Sequence, residues 1–283
     1  MRKNLKDLLA NHNLNYTNEF NRINKLFHQK YLVQKEYIRK ETITAQTICN
    51  DYFLSIPPYI RSTTTSLNDF LEEFEIITPD DTFNYTLDDY LPYLEFLTNI
   101  SVYILDNENP FDYERSILNT VLKQIKISVA ALHMQFIQDD NIWIIVPNDP
   151  AALSAAEVVS DINISLCLLK YNHYLLKGDI AQKEKILIDM ASYLEGNKET
   201  FNQNNGTLFS LVRRYFNNFN LRHNNLTGPN KRDYLDTMTD SQREDTLDDL
   251  YQLCLLLILE NDNISRKKEM NELINKINGI DKN

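Results

Sequence analysis

Apolar positions recur at helical spacing along nearly the whole chain. In FNRINKLFHQKYLVQKEYI, Phe20, Ile23, Phe27, Tyr31 and Ile38 follow one another at three, four or seven residues, which predicts one apolar stripe on a long basic helix. Consecutive prolines in SIPPYIR then break the chain, because they remove backbone donors and push the preceding residue out of helical geometry. A short helix is predicted in LNDFLEEFEI, and a longer one in TLDDYLPYLEFLTNISVYIL, where Thr86 and Asp89 have capping-box spacing and Pro92 is close to the start.

From about Pro110 a helix in PFDYERSILNTVLKQIKI leads to a different pattern. ALHMQFIQDDNIWIIVPND holds two short β-branched or aromatic runs around Asp139, Asp140 and Asn141, the composition of a hairpin turn. Asp149 as N-cap and Pro150 at the first helical position then start a helix predicted to run to Gly178. Asp179 caps the next helix, which stops at Gly196. The last third reads as a helix in GTLFSLVRRYFNNFN, a polar loop FNLRHNNLTG, a helix from about Asp240 through REDTLDDLYQLCLLLILE, and a separate tail helix.

The fold class expected is therefore all-α, a helical bundle with one short inserted β-hairpin near residues 131–147. The proline break suggests a basic N-terminal helical region over 1–60 and a bundle over 61–283. Only 5 glycines and 8 prolines in 283 residues agree with long helices. Cys49, Cys167 and Cys254 stand far apart in apolar surroundings, as buried thiols of a reducing compartment do. The N-terminus lacks a signal-peptide h-region, and the longest apolar run, Leu253–Leu259, is too short to span a membrane, so the expectation is a cytoplasmic protein with no membrane contact.

Charge changes this picture most. The net charge is −11, yet residues 62–114 hold no Lys or Arg, and Thr200 to Arg232 hold no Asp or Glu against Arg213, Arg214, Arg222, Lys231 and Arg232. The first forty residues are basic as well. A basic pole on an acidic protein can gather a polyanion. Two alternatives remain: the acidic and basic segments pair within the monomer, or the acidic segment 62–114 is itself a surface that mimics nucleic acid or docks a basic partner protein.

No HExxH, zinc-type Cys/His spacing, GxGxxG, P-loop or GxSxG is present, so no metal and no cofactor is expected. Within the acid-free segment, His223 beside Arg222 offers a group titrating near neutrality next to a phosphate-binding guanidinium. His223 is a candidate general acid or base and Arg222 a candidate phosphate stabiliser. Asn224 and Asn225 could orient a site, and Arg213, Arg214, Lys231 and Arg232 could hold an RNA backbone.

The succession KEKILIDMASYLE, FNNFNLRHNN and LDDLYQLCLLLILE, preceded by FIQDDNIWIIVP, resembles the C-terminal region of helical bacterial abortive-infection proteins. These are related to the HEPN superfamily (higher eukaryote and prokaryote nucleotide-binding domains). The resemblance covers roughly residues 110–260. It implies a helical bundle that often forms a homodimer, with RNA as partner and, in many members, RNA cleavage without metal. The family's motif is an Arg, usually followed by a polar residue, and then His after four to six intervening residues. Here Arg222 adjoins His223, and Arg22 to His28 has the family's spacing elsewhere in the chain but with Ile23 in place of the polar residue. The expected function is an RNA-binding or metal-independent RNA-cleaving protein of the phage-defence type. The alternative is a noncatalytic helical interaction or oligomerisation protein with charge-segregated surfaces.

Overall fold

The computed structural model describes residues 15–35, 39–76, 85–219, 221 and 237–278. Among them are eleven α-helices and two two-stranded antiparallel hairpins, so the fold class is all-α. The chain divides into two compact units, Met1–Ile145 and Val146–Asn283. Pro57 and Pro58 fall inside the first unit, where Pro58 starts a short helix.

In the first unit, α1 (Tyr16–Phe27) begins at Asn15, whose side chain accepts from the Asn18 N–H at 3.0 Å. It buries Phe20, Ile23 and Phe27, and Phe20 stacks between Tyr85 and Tyr93 with ring centroids 4.4 and 4.8 Å away. Full burial of such a ring stabilises by roughly 2–3 kcal/mol. The helix ends where His28 caps it: the His28 N–H donates to Asn24 O, and its ring Nδ1 lies 2.9 Å from the same oxygen.

The long helix expected through Ile38 is therefore not formed. Residues Tyr31–Lys35 (β1) and Arg39–Ile43 (β2) pair as a hairpin, with Tyr31 opposite Ile43 and Val33 opposite Glu41. Tyr31 and Val33 are half-buried while Leu32 and Gln34 are exposed, which is the period-two signature of a strand. Tyr31 fits both periods, and the β-branched Val33 beside it and Ile43 opposite it favour the strand. Ile38 lies outside the described residues.

Four helices follow, α2 (Ala45–Tyr52), α3 (Pro58–Arg61), α4 (Leu67–Glu73) and α5 (Leu87–Asn107). Thr86 and Asp89 form the expected capping box at the start of α5, and Pro92 is accommodated inside that helix. After α6 (Asp112–Ala131), strands β3 (Met134–Asp139) and β4 (Ile142–Pro147) form the hairpin expected near 131–147, with Asp140 at φ +53° in its turn. One edge of β4 is closed by side chains of α5. Asn99 Nδ2 donates to Trp143 O at 2.8 Å, Trp143 N donates to Asn99 Oδ1 at 2.7 Å, and Ile145 N donates to Glu95 Oε1 at 2.6 Å. The helix thus supplies the donors and acceptors that a third strand would.

In the second unit the single helix expected from Asp149 to Gly178 is divided. Asp149 and Pro150 open α7 (Pro150–Val158) as expected, but Asp161 caps a new helix, α8 (Ile162–Lys170). The β-branched pair Val158–Val159 followed by Ser160–Asp161 is a stop and a fresh N-cap, and Ser165 Oγ donates to Ala156 O across the corner at 3.0 Å. Gly178 at φ +80° makes the left-handed turn before Asp179 caps α9 (Ile180–Gly196). In α10 (Lys198–Asn218) the helix is interrupted at Asn205, whose Oδ1 accepts from the Leu208 N–H at 3.0 Å and restarts it. The last two expected helices are one, the 38-residue α11 (Asp240–Ile277). No helix among the described residues is long and apolar enough to cross a membrane.

Candidate nucleic-acid interface

The residues singled out in the acid-free segment divide into two groups. Arg222, His223, Asn224, Asn225, Lys231 and Arg232 lie outside the described residues. Arg213 and Arg214 lie on the outer surface of α10, both exposed. Arg213 is engaged: its Nε is 2.6 Å from Glu195 Oε1 on α9, and its guanidinium lies 5.6 Å from the centre of the Phe209 ring. It ties two helices together. Arg214 makes no ion pair among the described residues and is the freer cation for an anionic ligand.

The first unit carries a more coherent polar surface. Asn18, Asn21, Arg22 and Lys25 of α1 share the side of the helix away from Phe20, Ile23 and Phe27, and Gln29 follows just past the helix end. With Leu26 they line a groove of about 450 Å³. Arg22 Nη1 is held 2.6 Å from Glu19 Oε1, which orients the guanidinium and leaves its other nitrogens without an ion-pair partner among the described residues. Lys25 makes no ion pair among the described residues. Two further exposed cations, Lys30 and Lys40, follow at the adjoining hairpin. Amides beside ammonium and guanidinium groups suit phosphate and sugar oxygens, which take donors of any of these types.

The pair Arg22 and His28 does not form a cleavage centre. Six residues apart on one helix, they point roughly 120° away from one another, and the His28 ring is occupied by Asn24 O and stands edge-on to Phe27. Of the other described histidines, His133 is exposed at φ +55° and His173 is buried against Tyr174, with ring centroids 4.4 Å apart. All three cysteines are buried thiols. Burial pushes the Cys49 thiol from 9.0 up to about 12, and that of Cys254 upward too, which suppresses the nucleophilic thiolate. Among the described residues no group of three or more His, Cys, Asp or Glu side chains is placed to hold a metal ion.

One polar cluster was not anticipated. Lys183 of α9, nearly buried, places Nζ 2.8 Å from Glu244 Oε1 and 2.7 Å from Asp248 Oδ1, both on α11. Asp248 also accepts from Tyr171 Oη at 3.1 Å, and Glu244 accepts from the Gly178 N–H at 2.8 Å. Tyr171 stacks on Tyr251, 4.0 Å between centroids, and Tyr251 Oη donates to Leu168 O at 2.7 Å. Burial first, and then the Asp248 carboxylate, push the Tyr171 phenol well above its ordinary 10.0. Every charged group in the cluster has its partner, and Lys183 fills the space between the carboxylates. Its arrangement is that of a strut, not of a substrate site. A signal existed in the sequence: Lys183 occupies the stripe of Ile186, Leu187, Met190, Ala191 and Leu194, all buried, so a lysine was standing on the apolar face.

The acidic segment is also partly consumed by the fold. Glu95 closes the edge of β4, the nearly buried Glu114 Oε2 accepts from the Tyr52 hydroxyl at 3.1 Å and the Phe111 N–H at 2.9 Å, and Asp69 and Asp89 bond hydroxyls at helix starts. In comparisons with protein-family models, curated proteins and solved structures, nothing matches the chain.

Proposed function

We propose that the protein binds RNA, with the phosphate backbone following the outer face of α1 past Arg22 and Lys25 toward Lys30 and Lys40. The observation that carries this reading is the groove in which two cations, Arg22 and Lys25, are flanked by three amides opposite the buried stripe of the helix. An overall charge of −11 repels polyanions at a distance, so binding depends on this local reversal of sign. The sequence resemblance to abortive-infection proteins supports RNA over other polyanions and supports a phage-defence role. Cleavage without metal, with His223 as general acid or base and Arg222 as phosphate stabiliser, belongs to the same proposal.

Fluorescence anisotropy with a labelled single-stranded RNA over a salt series tests binding. Four cations, each displacing about 0.7 counterion on a single strand, give a slope of log K against log salt near about −3. A salt-independent affinity, or one unchanged in the Arg22→Ala/Lys25→Ala variant, overturns the assignment. Incubation of RNA in EDTA with wild type and His223→Ala tests cleavage separately, since loss of cleavage with intact binding is expected of the variant.

A further inference from the structure

The last helix outruns the core it helps to build. Its buried residues end at Ile258, and from Asn263 onward every described residue is exposed. Residues 263–277 extend roughly 22 Å at 1.5 Å per residue. This stretch is not uniformly polar: Met270, Leu273, Ile274 and Ile277 are 55, 49, 48 and 74% exposed. Their spacing of three, four and seven puts them on one face. The face continues a seam that advances alternately by three and four, through Leu256, Leu259, Asn263, Arg266, Met270, Leu273 and Ile277. That is the spacing of a coiled-coil seam, and covering such an apolar face with a second helix removes it from water.

We infer that the exposed end of α11 pairs in antiparallel orientation with the same segment of a second copy of the chain. Charge selects both occupant and direction. In the antiparallel register that sets Met270 of one copy against Leu273 of the other, Glu269 beside the seam faces Lys276 of the second copy, twice over by symmetry. Lys267 then flanks Ile274, and the stem of Arg266 lies along Ile277 with its head kept near Asp262, its ion-pair partner on the same helix. No like charges meet. A parallel in-register pair would instead set Arg266 against Arg266 across the seam. The antiparallel overlap, residues 266–277, fits within the exposed length. So short a seam buries less than the roughly 1,200 Å² of a stable interface, so association is transient and in the micromolar range or weaker.

This inference is independent of RNA binding. Sedimentation equilibrium of the full chain over a wide concentration range is expected to show reversible dimerisation, lost in Leu273→Asp and weakened in Lys276→Glu, and restored in Glu269→Lys/Lys276→Glu. A monomer at every concentration overturns the proposal, as does a dimer indifferent to Leu273→Asp. Failure of the double variant to restore association overturns the antiparallel register. A monomer whose melting temperature falls in Leu273→Asp assigns the face to a segment of the same chain and overturns the second copy as occupant. Circular dichroism of each variant confirms folding, and RNA affinity is expected to stay unchanged throughout.

Discussion

Lys183 Nζ lies 2.7 Å from Asp248 Oδ1 and joins α9 to α11 from inside the second unit. Because Glu244 takes the other side of the same ammonium, removing the lysine leaves two carboxylates facing each other with no cation between them. Lys183→Met keeps most of the apolar stem and is still expected to cost about 3 kcal/mol, the low end for breaking a buried pair, since Asp248 is half exposed. Adding Glu244→Gln and Asp248→Asn to that variant should recover much of the loss. Urea denaturation of the single and triple variants checks this, and equal stability of the two would contradict it.

Glu244 gives the same cluster a dependence on pH. Burial raises its carboxyl, but the Gly178 N–H and Lys183 outweigh it and hold the group below its ordinary 4.5. A folded-state value below the unfolded one means that the unfolded chain takes up the proton first. The stabilisation is therefore complete above 4.5 and is lost as pH falls through the lower folded value. Melting temperatures measured between about pH 6 and pH 3 should fall less steeply in Glu244→Gln than in wild type.

The hairpin near 131–147 and the starts at Thr86, Asp149, Asp179 and Asp240 were legible because each rests on residues adjacent in sequence. The first hairpin was not, because Tyr31 satisfies a helical period and a strand period at once. The division between α7 and α8 is hidden for a related reason: apolar spacing continues across Val159 although Asp161 begins a new helix. The joint between α9 and α10 depends on Arg213 and Glu195, eighteen residues apart, and no local pattern marks that pair. Charge counted along the chain likewise could not show that Arg213 is committed to Glu195 while Lys25 is not.

Asn99 stands in for a strand, and this has a spectroscopic consequence. Its amide meets both the N–H and the C=O of Trp143, the only tryptophan. Asn99→Ala leaves both groups without a protein partner, at a cost of about 2–3 kcal/mol. Asn99→Asp still accepts from the N–H but sets a carboxylate against the carbonyl, so it should rescue only in part. Tryptophan emission is expected to shift to the red in the alanine variant, as water reaches the strand edge. An unshifted spectrum with unchanged stability would show that this edge does not depend on Asn99.

Lys25 and Arg213 make opposite predictions although both are exposed cations. Arg213 holds Glu195 and covers Phe209, so Arg213→Ala should lower stability by up to about 1 kcal/mol, the upper range for an exposed pair, and leave RNA affinity nearly unchanged. Lys25 makes no ion pair among the described residues and stands in the groove of α1, so Lys25→Ala should leave stability within about 0.5 kcal/mol. It should weaken RNA binding and reduce the salt slope by about 0.7. Lys25→Arg keeps the charge and should keep the slope. Parallel denaturation and anisotropy measurements on the three variants separate a cation that supports the fold from one that meets a ligand; the reverse pattern would move the interface from α1 to α10.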